Sequence, residues 1–155
     1  RMYPKLRDAN VLVLATPVYV PLPAEMQNFI NRVVPLMNPI TRREDGPTRA
    51  QFPDVGKIGK IALVSTCGWW ENGNFDTIMR IVRELANDMN VEFAGALLRP
   101  HSSMLVKGEE KTERVLKGAE RAGYRLVMEG KMPRDLVRIV GSLRITYEAF
   151  SQESG

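Results

Sequence analysis

Apolar positions along this chain fall into two kinds of block, short continuous runs and longer stretches with helical spacing. Val11-Leu12-Val13-Leu14-Ala15, Lys60-Ile61-Ala62-Leu63-Val64-Ser65 and Val91 to Leu98 are the short runs. Their length and aliphatic content are those of strands buried on both faces of a parallel sheet. Thr16-Pro17 stops the first, because proline cannot donate to the next rung of a ladder, and Pro100 stops the third. Among the longer blocks, Met26, Phe29, Ile30 and Val33 make one apolar helical stripe, which Pro35 ends. Pro23 is placed to open that helix, where its missing N–H costs nothing. Ile78, Val82, Leu85, Ala86 and Met89 line the inner face of a second helix, and Asn74 or Asp76 can cap it by accepting from exposed N–H groups. Periodicity returns from about Lys111, with Val115, Ala119, Ala122 and Leu126 on one side and Gly130 as the stop. Pro133 opens a last helical segment carrying Leu136, Val140, Leu143, Tyr147 and Phe150, which Gly141-Ser142 can split. Residues 2–7 read as the end of a further helix, with Met2, Tyr3 and Leu6 available for burial and Asp8-Ala9-Asn10 as its break.

Strands alternating with helices predict parallel pairing with helices on both faces, an α/β three-layer fold. Three strands are few for such a sheet. Neither an internal repeat nor a low-complexity tract divides the chain, so residues 1–155 are expected to form a single domain. Residues 38–56 hold Pro39, Gly46, Pro47 and Pro53 among many charges and read as an exposed loop. It is longer than an ordinary connection, which suggests a lid or a partner contact.

Composition changes this picture little. A hydrophobic fraction of 44% with 26% charged residues is ordinary for a globular protein. No apolar run approaches a membrane span, Arg1-Met2-Tyr3-Pro4 is no signal peptide, and the lone Cys67 excludes an internal disulfide and suits a reducing cytoplasm. The net charge of +4 raises the question of nucleic acid. The basic excess is spread, however: residues 1–56 carry seven Lys/Arg against five Asp/Glu, residues 57–100 five against five, and residues 101–155 ten against eight. Bases interleaved with acids make a solvated surface rather than a binding stripe, so neither nucleic acid nor membrane is expected as a partner. His101 has no second histidine or partner cysteine, and no metal site is expected.

Two segments carry unusual chemistry. Ligands of open parallel sheets sit beyond the carboxyl ends of the strands. The first run ends in Thr16-Pro17-Val18-Tyr19-Val20-Pro21-Leu22-Pro23, a stiff loop with a hydroxyl and an aromatic ring. The second ends in Ser65-Thr66-Cys67-Gly68-Trp69-Trp70, followed by Glu71-Asn72-Gly73-Asn74. Small residues let backbone approach a ligand, and indoles give a stacking surface. Such loops suit a flat, partly polar, uncharged ring system. Tyr19, Trp69 and Trp70 can equally serve as packing beneath loops, and Cys67 reads better as a small buried residue than as a redox thiol.

These residues resemble a family. Ala9 to Tyr19 with its Thr16-Pro17-Val18-Tyr19 loop, then Met26, Phe29-Ile30 and Arg32, look like the third strand and following helix of NAD(P)H-dependent FMN reductases and iron–sulfur flavoproteins. Asn31 stands where that helix usually has Asp. Leu63-Val64-Ser65-Thr66-Cys67-Gly68-Trp69 is similar to the fourth strand and its loop, and Leu97-Leu98-Arg99-Pro100 to the end of the fifth. The resemblance weakens after about residue 132.

It implies a flavodoxin-like fold, truncated at its N-terminal side, with strands three to five of the family present. Thr16, Pro17, Val18 and Tyr19 with Thr66, Cys67, Gly68 and Trp69 would wrap the FMN ring, and NAD(P)H would be the electron donor. No side chain is assigned as a catalyst, since hydride chemistry belongs to the flavin. The family's phosphate loop and the cluster cysteines of iron–sulfur flavoproteins would both precede residue 10, so no cluster is expected here. An FMN reductase-like activity would need the full domain assembled. The alternative is a cofactor-free fragment serving as an interaction or dimerisation module. With strand order 2-1-3-4-5, loss of the first strand would leave Val11–Ala15 as an uncharged edge, and self-association through it is expected.

Overall fold

The computed structural model of the chain describes residues 2–20, 22–36, 38–41, 49–51, 57–142 and 151–152. Its centre is a parallel sheet of three strands: β1 (Val11–Pro17), β4 (Lys60–Thr66) and β5 (Glu92–Arg99), in the order β1-β4-β5. A separate antiparallel pair, β2 (Asn38–Thr41) and β3 (Arg49–Gln51), lies between β1 and β4 in the chain. The helices α1 (Met2–Asp8), α2 (Ala24–Val33), α3 (Asp76–Met89), α4 (Glu110–Glu129) and α5 (Arg134–Gly141) accompany them.

Alternation along β4 divides the interior. Ile61 and Leu63 face a cluster that includes Leu6 of α1, Val33 of α2 and Phe75, Ile78 and Val82 at and within α3. Ala62 faces the other way, against Val115, Ala122 and Leu126 of α4 and Leu136 and Val140 of α5. Helices therefore cover both faces of the open sheet, as the alternating pattern requires. The predicted inner face of α3 is met residue for residue, all five side chains being buried. Gly130 closes α4 at φ 74, its N–H donating to the Leu126 carbonyl.

Several elements differ from their sequence pattern. β1 is buried on one face alone: Leu12, Leu14 and Thr16 are inside, whereas Val13 and Ala15 are exposed. The reason is coverage: α4 and α5 pack mainly over β4 and β5, and on that face Val11 is the β1 residue that packs against their cluster. The strand also runs on through Thr16 and Pro17, which pair with Ser65 and Thr66. Proline is tolerated because its nitrogen faces the unpaired edge. Pro23 sits one position before α2, extended at φ −62 and ψ 151, and its carbonyl accepts from Gln27. Pro35 lies within a short 3-10 turn, Val34–Leu36, that prolongs the helix. Neither Asn74 nor Asp76 caps α3: a 3-10 turn at Asn72–Phe75 leads into it, and Asn74 donates back to the Glu71 carbonyl at 2.8 Å. Tyr3 is exposed while Leu6 is buried. Within 38–56, β2 and β3 replace part of the expected loop, and residues 42–48 and 52–56 lie outside the described residues. Leu143, Tyr147 and Phe150 lie outside them too, α5 having ended at Gly141.

The β4–β5 register slips between Ile61 and Ala62, and Gly95 takes up the slack at φ 129. A side chain there would be strained, and its Cβ would stand 3.3 Å from the Met132 Cβ. Gly95→Ala is expected to lower the unfolding free energy by ~1–3 kcal/mol in urea titrations. Gly59→Ala, with open space around it, should change it by less than about 0.5 kcal/mol.

Candidate functional site

The parallel ladder continues past the strands and ties three loops together. Beyond β1, the Val18 N–H donates to the Thr66 carbonyl at 2.8 Å. Beyond β4, the Cys67 N–H donates to the Arg99 carbonyl and its own carbonyl accepts from Ser102, each at 2.9 Å. The His101 N–H reaches the Trp69 carbonyl at 2.9 Å. The Cys67 thiol, buried, accepts weakly from the Trp69 N–H at 3.4 Å. Each bond fixes backbone that carries a side chain toward the carboxyl end of the sheet.

What these loops enclose is an open groove of about 660 Å3 lined by Val18, Tyr19, Val20, Trp69, Gly73, Asn74, Thr77 and Ile78. Its size lies within the ordinary range for small-molecule sites, roughly 300–1,000 Å3. Tyr19 is 62% exposed and Trp69 66%, a large apolar area left in water on two separate loops. The start of α3 supplies Asn74 and Thr77, so amide and hydroxyl groups stand beside the aromatic walls. None of the lining side chains is charged.

Of the residues singled out in the sequence, Val18, Tyr19 and Trp69 line this groove. Thr16 and Cys67 are buried beneath the loops, and Thr66 is half-buried at the strand end. Pro17 and Gly68 are exposed, outside the lining. Gly73 and Asn74 belong to the segment that follows Trp70 in the second loop, whereas Thr77 carries no sequence signal of its own and Ile78 reads only as the inner face of a helix. A larger groove of about 720 Å3 between α4 and α5 is lined by Glu110, Lys111, Arg114, Arg138, Ile139 and Ser142. It has no aromatic wall and four of its six lining side chains are charged, so despite its volume it offers a flat, uncharged ring no stacking surface.

Two buried polar residues support the loops without lining the groove. Arg99, at the end of β5, donates to the Val140 carbonyl at 3.2 Å and to the Ser142 carbonyl at 3.0 Å. It thereby supplies donors to the last turn of α5, whose terminal carbonyls have no partners within the helix. His101 is fully buried with a left-handed backbone, φ 33 and ψ 56. Burial holds its imidazole below the ordinary value of 6.5, and the Arg99 guanidinium adds to that effect. In the sequence both read as a strand end and a lone histidine. The role of Arg99 depends on a helix more than thirty positions away, and the backbone of His101 is tied to the Trp69 loop.

Because the folded pKa of His101 is depressed, its contribution to stability is complete above about pH 6.5 and is lost as pH falls toward the folded value. Urea midpoints should therefore decline from pH 7.5 to 5. The decline should be shallower in His101→Asn, which does not titrate and tolerates the left-handed backbone. Equal slopes would remove His101 from the account. Among the described residues, no helix is long and apolar enough to cross a membrane, and no group of three or more His, Cys, Asp or Glu is placed to hold a metal ion. In comparisons with known proteins, no family model matches the chain, and neither a curated protein nor a solved structure matches it.

Proposed function

We propose that the groove between the Val18–Val20 loop and the start of α3 binds the ring system of a flavin, and that the chain is part of a flavodoxin-like FMN-dependent oxidoreductase of the cytoplasm. One observation carries this reading: two exposed aromatic side chains from separate loops, Tyr19 and Trp69, line one uncharged groove at the carboxyl end of a parallel sheet. The motifs Thr16-Pro17-Val18-Tyr19 and Ser65-Thr66-Cys67-Gly68-Trp69 support it through their resemblance to FMN reductases.

The lining fits the ring better than the phosphate. Trp69 and Tyr19 offer stacking faces, worth ~0.5–1.5 kcal/mol each beyond area burial. Asn74 and Thr77 offer a donor and acceptors to a polar ring edge. The positive end of the α3 dipole favours electron density placed near it. For a phosphate group the groove holds no Lys or Arg. A bound flavin would supply hydride acceptance from NAD(P)H and onward electron transfer. The chain's own residues bind the ring, orient it and keep one face open.

A second reading, a cofactor-free interaction module, is favoured by the uncovered face of β1, where Val13 is 47% exposed. Titration separates the two. FMN should bind saturably with quenched flavin fluorescence, and riboflavin should bind within about threefold of it, since phosphate gains no ion pair here. Trp69→Ala should weaken both by about tenfold, while Tyr124→Ala on the exposed side of α4 should leave them unchanged. Absence of binding at high micromolar flavin leaves the interaction module as the function.

A further inference from the structure

The charges of α4 alternate in sign along the sequence, but the fold gathers some of them. Gly118 marks the flank of α4 that meets α5, since a Cβ there would stand 3.0 Å from the Ile139 Cγ2. At about 3.6 residues per turn, Lys111 and Arg114 fall on that same flank. Arg138, in the last turn of α5, faces them across the groove of about 720 Å3, with Ile139 and Ser142 beside it and Glu110 at its rim. Both walls are held. Buried Gly118 lets the helices approach closely, and Arg99 pins the end of α5 to the end of β5 through the Val140 and Ser142 carbonyls. All three cations stand on described helices, so their convergence does not depend on residues 143–150.

These cations are left without local neutralisation. Glu110 stands four residues before Arg114, and Asp135 three before Arg138, both spacings at which a helix forms ion pairs. Among the described residues neither pair forms, whereas Arg125 further along α4 holds Glu129 at 2.7 Å. Lys111 and Arg114 also lie in the first turns of α4, where the aligned peptide dipoles already give a positive potential. Cations there oppose the helix unless an anion joins them. The carbonyls ending α5 would repel such an anion, but the Arg99 guanidinium occupies two of them from behind.

We propose that the groove between the start of α4 and the end of α5 binds a small soluble compound carrying a diphosphate group. Arg114 and Arg138 come from different helices, and each guanidinium fork matches the oxygens of one phosphate. Lys111 adds a point charge beside them. The volume exceeds what a diphosphate fills, which leaves room for the group it esterifies. No aromatic side chain lines the groove to stack that group. Glu110 and Ser142 offer it acceptors instead, the Ser142 hydroxyl proton being given to the Ile139 carbonyl at 2.9 Å. A concave site of this size suits a small molecule rather than a nucleic-acid strand or a lipid surface. This site does not rest on the flavin reading, and either can fail alone.

Calorimetric titration of the full chain with inorganic pyrophosphate at low salt should show one saturable site, with a dissociation constant below about 1 mM. Sulfate, a single tetrahedral anion, should bind at least about fivefold more weakly. Arg114→Gln and Arg138→Gln should each weaken pyrophosphate by about fivefold. Arg121→Gln, on the same helix but outside this groove, should stay within about twofold. Amide shifts in the unaltered chain should centre on residues 110–114 and 138–142. Absence of saturation, sulfate binding as tightly as pyrophosphate, or equal weakening by Arg121→Gln would each overturn the proposal. Should a variant lose its fold by circular dichroism, the position of the amide shifts in the unaltered chain decides the matter.

Discussion

The position of β4 between β1 and β5 is the constraint on which the other features depend. Its backbone bonds on both sides, its side chains enter both halves of the core, and the loop leaving it is held by β5 through Cys67 and by β1 through Thr66. Ile61, Ala62 and Leu63 are fully buried. Such a strand admits little adjustment, because a shift of one residue would exchange the two cores. The groove inherits that rigidity, since Trp69 lies three residues beyond the strand and its main chain is fixed on both the N–H and the C=O side.

The two faces of the sheet differ in a way that bears on function. Toward α1, α2 and α3, each of the three strands contributes to a continuous cluster that reaches up to the groove through Ile78 and Val18. Toward α4 and α5, cover extends over β4 and β5, and Val13 of β1 is left in water. Leu116 and Val127 on α4 are exposed as well. Removing such apolar area from water is worth ~25 cal/mol per Å2, so an uncovered strand face favours association. The groove at the carboxyl end and the uncovered face of β1 thus involve different parts of one strand. Thr16 and Pro17 separate them.

Much of this was legible in the sequence, for definable reasons. The inner face of α3 follows from periodicity because an amphipathic helix reports its own burial. The parallel sheet follows from alternation of runs. The two loops stand out because Pro, Gly and aromatic residues cluster at strand ends. The open face of β1 was hidden, because Val-Leu-Val-Leu-Ala reads the same whether one face or two are covered. The β2–β3 pair was hidden by proline and charge, which suppress strand signals. Arg99 and His101 could not be read at all, since each takes its meaning from contacts made by α5 or the Trp69 loop. The lower wall of the groove, Thr77 and Ile78, is likewise a product of the fold.

The most direct test of the central claim is an amide-resolved NMR titration of the chain with riboflavin, which carries the ring and no phosphate. The account predicts saturable shifts confined to residues 16–20 and 66–78, with the largest at Tyr19, Trp69 and Thr77. Shifts centred on the charged groove between α4 and α5, or none at saturating riboflavin, would contradict it.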